Sequence, residues 1–200
     1  EIKQIQLDTS EILEILNDVM QGIGFLHSQQ PNPIMHGNIT SKNILLSGNI
    51  AKISDFGLSG LGLRHQFKPV LWTNSAGKTV CGSKMVDKEA APQQWQRAGK
   101  TLPIASDAVA FLAPEILNGT KYELYERIDI YSIGICILHM ILGVHPSLEN
   151  RNEQIKQVIE KSPEFQDLLQ QLLQEIPEMR PSATDTINII NLLMFNDRYY

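Results

Sequence analysis

From Asp129 to Leu142 the chain reads Asp-Ile-Tyr-Ser-Ile-Gly-Ile-Cys-Ile-Leu-His-Met-Ile-Leu, apolar nearly all the way round a helical wheel. Such a helix has no face to give to water, so other elements must enclose it on every side. A membrane span is the competing fate, but that takes about 18 or more consecutive apolar residues. This run is shorter and carries Asp129 and His139, so no transmembrane segment is expected. The 200 residues suit one globular domain or one large lobe, and 42% hydrophobic content with a net charge of −5 argues against disorder. Acidic residues outnumber basic ones, 22 to 17, which gives nucleic-acid binding no support. Two cysteines, Cys81 and Cys136, are too few for a disulfide framework and favour a reducing, cytoplasmic setting. The opening Glu-Ile-Lys-Gln-Ile has no basic region leading into an apolar stretch, so no signal peptide is read there.

The elements that wrap the central helix can be read in order. Asp8 to Ser28 predicts an amphipathic helix: Asp8 and Glu11 have capping-box spacing, and Ile12, Ile15, Leu16, Val19, Ile23 and Leu26 recur at helical intervals. Pro31 and Pro33 end it. Two short apolar runs, Ile44–Leu46 and Ala51–Ile53, flank Ser47-Gly48-Asn49, which is turn chemistry and predicts a small β-hairpin. Residues 58–108 hold no period for long and are expected to form a long, partly disordered loop. Beyond the central helix, 151–160, 163–175 and 182–194 are helical candidates punctuated by Pro146, Pro163, Pro177 and Pro181. Ser75-Ala-Gly-Lys-Thr79 suggests a phosphate-binding loop, but the first glycine of that motif would fall on Trp72, and the reading is rejected.

Four short motifs stand in a fixed order along this frame: His36-Gly-Asn-Ile-Thr-Ser-Lys-Asn43, Asp55-Phe-Gly57, Ala113-Pro-Glu115 and Arg180-Pro181. Together, with Asp129 opening the buried helix, they resemble the signature set of the protein kinase superfamily. The resemblance implies a mainly α fold (the α+β kinase fold): the C-terminal lobe of a protein-kinase-like domain with a small β-hairpin. Its parts would be a catalytic-loop region at 34–57, a long activation-type loop at 58–112 and a helical subdomain at 113–195. The chain lacks an initiator Met and enters helix almost at once. A preceding N-terminal lobe is therefore expected in the same polypeptide.

Carried over residue by residue, the resemblance implies that Asp55 and Asn43 would hold Mg²⁺ on the phosphates of ATP, since hard cations take oxygen ligands. The alternative for both is local: an Asp at a turn, an Asn bonded to loop backbone. The proton-acceptor position falls on Asn38, whose carboxamide has no useful basicity, though its oxygen could orient a hydroxyl. The usual Arg beside it is Gly37, and Thr40 stands where a Lys would steady the transferring phosphate. Lys42 is close in sequence but by the pattern points elsewhere. His36 is expected to be a buried histidine bracing the loop rather than a ligand. Glu115 and Arg180 are expected to form a buried ion pair, and Asp129 to accept backbone hydrogen bonds from the catalytic loop. Asp107-Ala108 replaces the Gly-Thr that kinases place before Ala113. Trp72 and Trp95 would pin the long loop to the body or offer a docking surface, with pinning preferred.

Two pseudokinase groups resemble this chain further. The pseudokinase module of Janus-type tyrosine kinases shares His-Gly-Asn and Lys-Asn-Ile-Leu-Leu. The SCY-like family shares His-Gly-Asn-Ile-Thr, a long loop, Phe111-Leu-Ala-Pro-Glu115 and an aromatic tail like Met194–Tyr200, although its members often have a degraded Asp-Phe-Gly. The wider match favours the SCY-like family. That resemblance implies a scaffold or regulator working through protein partners, with peripheral association to coated-vesicle, Golgi or endosomal membranes. The competing expectation is an active ATP-dependent protein serine/threonine kinase with a rearranged catalytic loop, in which Lys42 or a substrate group compensates. A third is a nucleotide-gated switch that binds Mg–ATP through Asp55 and Asn43 without transfer.

Overall fold

The computed structural model describes residues 7–30, 33–55, 108–118 and 126–199, together with the backbone of 67–73, 79–85 and 102–103. Helix α1 spans Thr9–His27, and its start is the predicted capping box. The Asp8 carboxylate accepts from the Glu11 N–H at 2.8 Å, and the Asp8 N–H donates to the Glu11 carboxylate at 2.9 Å. Ile12, Leu13, Leu16, Val19, Met20, Ile23 and Leu26 form its buried stripe. Strands β1 (Ile44–Ser47) and β2 (Ile50–Ile53) pair antiparallel, Ser47 opposite Ile50 and Ile44 opposite Ile53. Gly48 opens the two-residue connection at φ +63°, the place a type II′ turn gives to glycine. Asp18 of α1 holds the hairpin, its carboxylate accepting from the Ala51 N–H at 2.9 Å.

The segment expected to lack secondary structure contains some. Strands β3 (Phe67–Thr73) and β4 (Thr79–Met85) form an antiparallel ladder, and β5 (Leu102–Pro103) adds to β4. The absence of a clean period hid them, because Lys68, Pro69, Gly82 and Ser83 interrupt the alternation. The run Leu71-Trp-Thr73 opposite Thr79-Val-Cys81 nevertheless has strand-forming composition. The remaining residues between 56 and 107, with Phe56, Gly57 and Trp95, lie outside the described residues, as do the side chains of Trp72 and Cys81.

A 3₁₀ turn at Ala108–Phe111 leads into the short helix α2 (Pro114–Asn118), and helix α3 then spans Arg127–Leu142. Every residue of α3 from Ile128 to Leu138 is buried, as the all-round apolar pattern required. Gly143 ends it in the left-handed region at φ +65°. Helix α4 (Arg151–Lys161) matches its prediction to within a residue. The candidate at 163–175 is instead a 3₁₀ turn, Pro163–Phe165, continued by helix α5 over Gln166–Leu172. Helix α6 runs Ala183–Tyr199, beyond the predicted Met194, since no breaker follows Met194. It packs on α1, where a Cβ on Gly24 would meet the Ile187 side chain at 3.3 Å. Gly134 of α3 serves a tighter approach: a Cβ there would meet Leu173 at 2.6 Å. The chain is thus mainly helical, with the small hairpin held against α1 and the loop before it running alongside α3, from Asp129 in the first turn to His139 near the end. No described helix is long and apolar enough to cross a membrane.

Candidate functional site

The loop from Ile34 to Asn43 owes its shape to one buried carboxylate. Asp129, fully buried in the first turn of α3, accepts from the His36 N–H through Oδ2 and from the Gly37 N–H through Oδ1, each at 2.8 Å. That is the anchoring role expected of it. Oδ2 is also 2.9 Å from His27 Nε2 at the end of α1, a partner the sequence did not suggest. Gly37 takes φ +73°, and an arginine there would carry backbone strain of about 1–2 kcal/mol. His36 is fully buried. Its Nδ1 accepts from the Asn38 N–H at 3.3 Å. Burial pushes its pKa below the usual histidine value, opposed in part by the Asp129 charge. The bracing role read for it agrees with this environment.

Asn38, Asn43 and Asp55 converge. Asn38 Nδ2 donates to Asp55 Oδ2 at 2.9 Å and to the Asp55 carbonyl at 3.3 Å. Asn43 Nδ2 donates to the Asn38 carbonyl at 2.7 Å. The Asn43 carbonyl accepts from the Ser54 N–H at 2.8 Å, tying the loop to the end of β2. Asp55 itself sits at φ +59°, the one non-glycine in the left-handed region among the described residues. Asp tolerates that region better than most residues, and such strain gathers at functional sites. With its amide nitrogen committed, Asn43 keeps its side-chain oxygen for a cation, and Asp55 offers a carboxylate on the same cleft. This is a hard-oxygen pair of the kind Mg²⁺ takes alongside substrate phosphates. The two residues therefore fit the ion, with the Asn38 amide already bonded to one of the Asp55 oxygens.

These three residues, with Thr40, line a cleft of about 280 Å³. Other lining residues were not foreseen. They include Phe111 and two imidazoles, His139 near the end of α3 and His145 just after it. Ring centroids lie 5.7 Å apart for His139–His145 and Phe111–His145, and 6.1 Å for Phe111–His139. His139 Nδ1 is 3.0 Å from Ser41 Oγ, and His145 Nδ1 is 2.9 Å from the Pro146 carbonyl. Lys42 also lines this cleft. Burial lowers the His139 pKa, and the neighbouring His145 and Lys42 lower it further. In the sequence these histidines were visible only as polar residues ending an apolar run.

The architectural pair forms as expected. Arg180 meets Glu115 in a bidentate contact, Nη1–Oε1 at 2.6 Å and Nη2–Oε2 at 2.8 Å, with both side chains buried. Arg180 also donates to the carbonyls of Gln174, Glu175 and Arg127, and its guanidinium lies 4.8 Å from the Tyr131 ring centroid. Among the described residues no cluster of three or more His, Cys, Asp or Glu is placed to hold a metal.

Comparison with known proteins agrees with this geometry. A family model described as protein kinase domain matches residues 93–189, and one described as protein tyrosine and serine/threonine kinase matches residues 2–73. A probable serine/threonine-protein kinase of Dictyostelium discoideum is 26% identical over 197 residues, covering 94% of this chain and 15% of that protein. A second from the same organism is 32% identical over 146 residues, covering 72% of the chain and 19% of the relative. A Wee1-like protein kinase of Arabidopsis thaliana is 23% identical over 191 residues, covering 92% and 30%. The chain thus spans less than a third of the length of these curated relatives.

Proposed function

The chain carries the C-terminal lobe of a protein-kinase-like domain, and on that premise we propose that it is a pseudokinase, a scaffold or regulator whose cleft binds without transferring phosphate. The observation that carries this reading is the Asn38–Asp55 hydrogen bond. Phosphoryl transfer to a hydroxyl needs a positioned proton acceptor and cationic support for the phosphoryl group. At the acceptor position this chain has an amide that donates to Asp55, and Thr40 occupies the place where the kinase pattern has a lysine. Loss of both costs several kcal/mol of transition-state stabilisation, of order 10³ or more in rate. The test is phosphate transfer from Mg–ATP to a generic peptide by the full-length protein and by its Asn38→Asp variant. The native protein is expected at background. Measurable native transfer that the substitution scarcely alters would instead support an active serine/threonine kinase, with Lys42, already on the cleft, as the compensating group.

Retained nucleotide binding has its own support in Asn43 and Asp55, two oxygen donors on one cleft. Asp55 would hold Mg²⁺ between nucleotide phosphates and Asn43 would supply a second oxygen. A ligand that binds the folded form must raise its melting temperature. A thermal shift with Mg–ATP on the full-length protein is the test, and no shift removes the idea.

The SCY-like assignment, with a setting on coated-vesicle or Golgi membranes, is supported by the likeness of His36–Thr40, Phe111–Glu115 and Met194–Tyr200 alone. Imaging of the tagged full-length protein checks it: a uniform cytoplasmic distribution, unchanged by salt washing of the membranes, would count against it.

A further inference from the structure

We propose that the first turn of α4 sets part of the cleft from outside it: Arg151 and Gln154, neither of which lines the cleft, are positioning residues for Phe111 and His145, which do. The inference concerns the shape of the cleft and stands whether or not a nucleotide fills it.

The turn before α2 is the starting point. Ala108-Val-Ala-Phe111 has no polar side chain, so hydrogen bonds can hold it only by its backbone. Two of its carbonyls are held. Arg151 Nη2 donates to the Ala110 carbonyl at 2.5 Å, and Ser132 Oγ on α3 donates to the Phe111 carbonyl at 2.9 Å. The guanidinium is aimed by Tyr131 of α3: Nη1 donates to the Tyr131 hydroxyl at 2.7 Å, and Cζ lies 5.4 Å from the ring centroid. A planar fork that bonds two acceptors at once fixes direction as well as distance. Arg151 Nε is buried without a partner among the described residues, so this placement carries a desolvation cost that the other contacts must offset.

Gln154 follows three residues later on the same face of α4 and is buried. Its Oε1 accepts from the Ser147 N–H at 2.9 Å, and its Nε2 donates to the His145 carbonyl at 3.3 Å. The connection from α3 to α4 is thereby fastened on the residues either side of Pro146. The two fastened segments meet in the cleft, where the Phe111 and His145 rings lie 5.7 Å apart and nearly perpendicular, at 86°. His139 packs on both, at 6.1 Å and 5.7 Å. One helical turn therefore holds the backbone on which two of these three rings are mounted. A displacement of that turn is passed to both rings at once.

The experiment measures hydrogen exchange by mass spectrometry in the full-length protein at segments 108–112, 143–147 and 130–138, and follows the His145 ring signal by NMR. Arg151→Met keeps the aliphatic stem and removes the donors. It is expected to speed exchange in 108–112 about tenfold or more and to shift the His145 ring signal, although His145 itself is unaltered. Gln154→Met is expected to act in the same way on 143–147 and on the ring. Arg151→Lys keeps one donor but cannot bond both acceptors as a fork, and its exchange in 108–112 is expected to fall between native and Arg151→Met. Gly134→Val is the control, since it strains the contact of α3 with Leu173 and leaves the first turn of α4 alone. It is expected to speed exchange in 130–138 and to leave 108–112 and the His145 ring as in the native protein. Native exchange in 108–112 with an unmoved His145 signal in Arg151→Met would overturn the proposal, and so would the same pattern of changes in Gly134→Val. If Arg151→Met does not fold, Arg151→Lys and Gln154→Met are judged by the same two criteria.

Discussion

Asn38 differs from an aspartate by one isosteric change, yet the change reverses its relation to Asp55. As an amide it donates at 2.9 Å; as a carboxylate it would face a like charge at that distance. Asn38→Asp is therefore expected to lower the melting temperature in metal-free buffer and to regain much of the loss when millimolar Mg²⁺ is added. Differential scanning fluorimetry with and without Mg²⁺, native beside variant, checks this; equal Mg²⁺ responses would mean that the two side chains do not share a cation. A second residue-scale expectation concerns pH. His36 and His139 both have folded-state pKa values held below the ordinary 6.5, in each case chiefly by burial. The unfolded chain therefore binds protons that the folded chain does not once pH falls below about 6.5. Stability from this source is fully present above that pH and is lost as pH falls toward the folded-state values. Urea unfolding at pH 7.5, 6.5 and 5.5 should show the decline, and His139→Gln should make it shallower.

At the scale of elements, the joints matter more than the helices. Glu115 on α2 and Arg180 before α6 are joined by two short hydrogen bonds inside the fold. Glu115→Gln leaves a buried guanidinium without its counter-charge, and a loss of about 3–5 kcal/mol in unfolding free energy is expected. Denaturant titration measures it. Gly134 is the joint between α3 and the end of α5. A valine there must displace the Leu173 side chain and then the Leu172 Cβ, which lies 3.2 Å from the position of an added Cβ. Overpacking of this kind costs about 1–3 kcal/mol, readable in the same titration. The two joints differ in how far sequence alone exposed them. Glu115 and Arg180 were legible because each sits in a short motif. Gly134 was an unremarked member of an apolar run, since what makes it necessary is a leucine 39 positions away.

Across the whole molecule, elements with strong local signals were readable: the Asp8 capping box, the Gly48 turn and the all-apolar α3. The hairpin partners β3 and β4 were not, because their alternation is broken and cross-strand pairing is non-local. Half of the cleft was likewise hidden. Asn38, Asn43 and Asp55 announced themselves by motif, but nothing local says that His139 and His145 line the same cleft; only the packing of α3 against the loop brings them there.

Asp129 gives the assembly a property that neither its loop nor its helices have alone. Its two oxygens hold the amides of His36 and Gly37, and one of them also meets His27 at the end of α1. Loop amides ordinarily exchange with solvent through small local openings. These two cannot open without uncovering a fully buried charge, so their exchange should be slow and should share the denaturant dependence of the α3 amides. In native-state hydrogen exchange, a segment of irregular backbone would then report the global unfolding of the lobe.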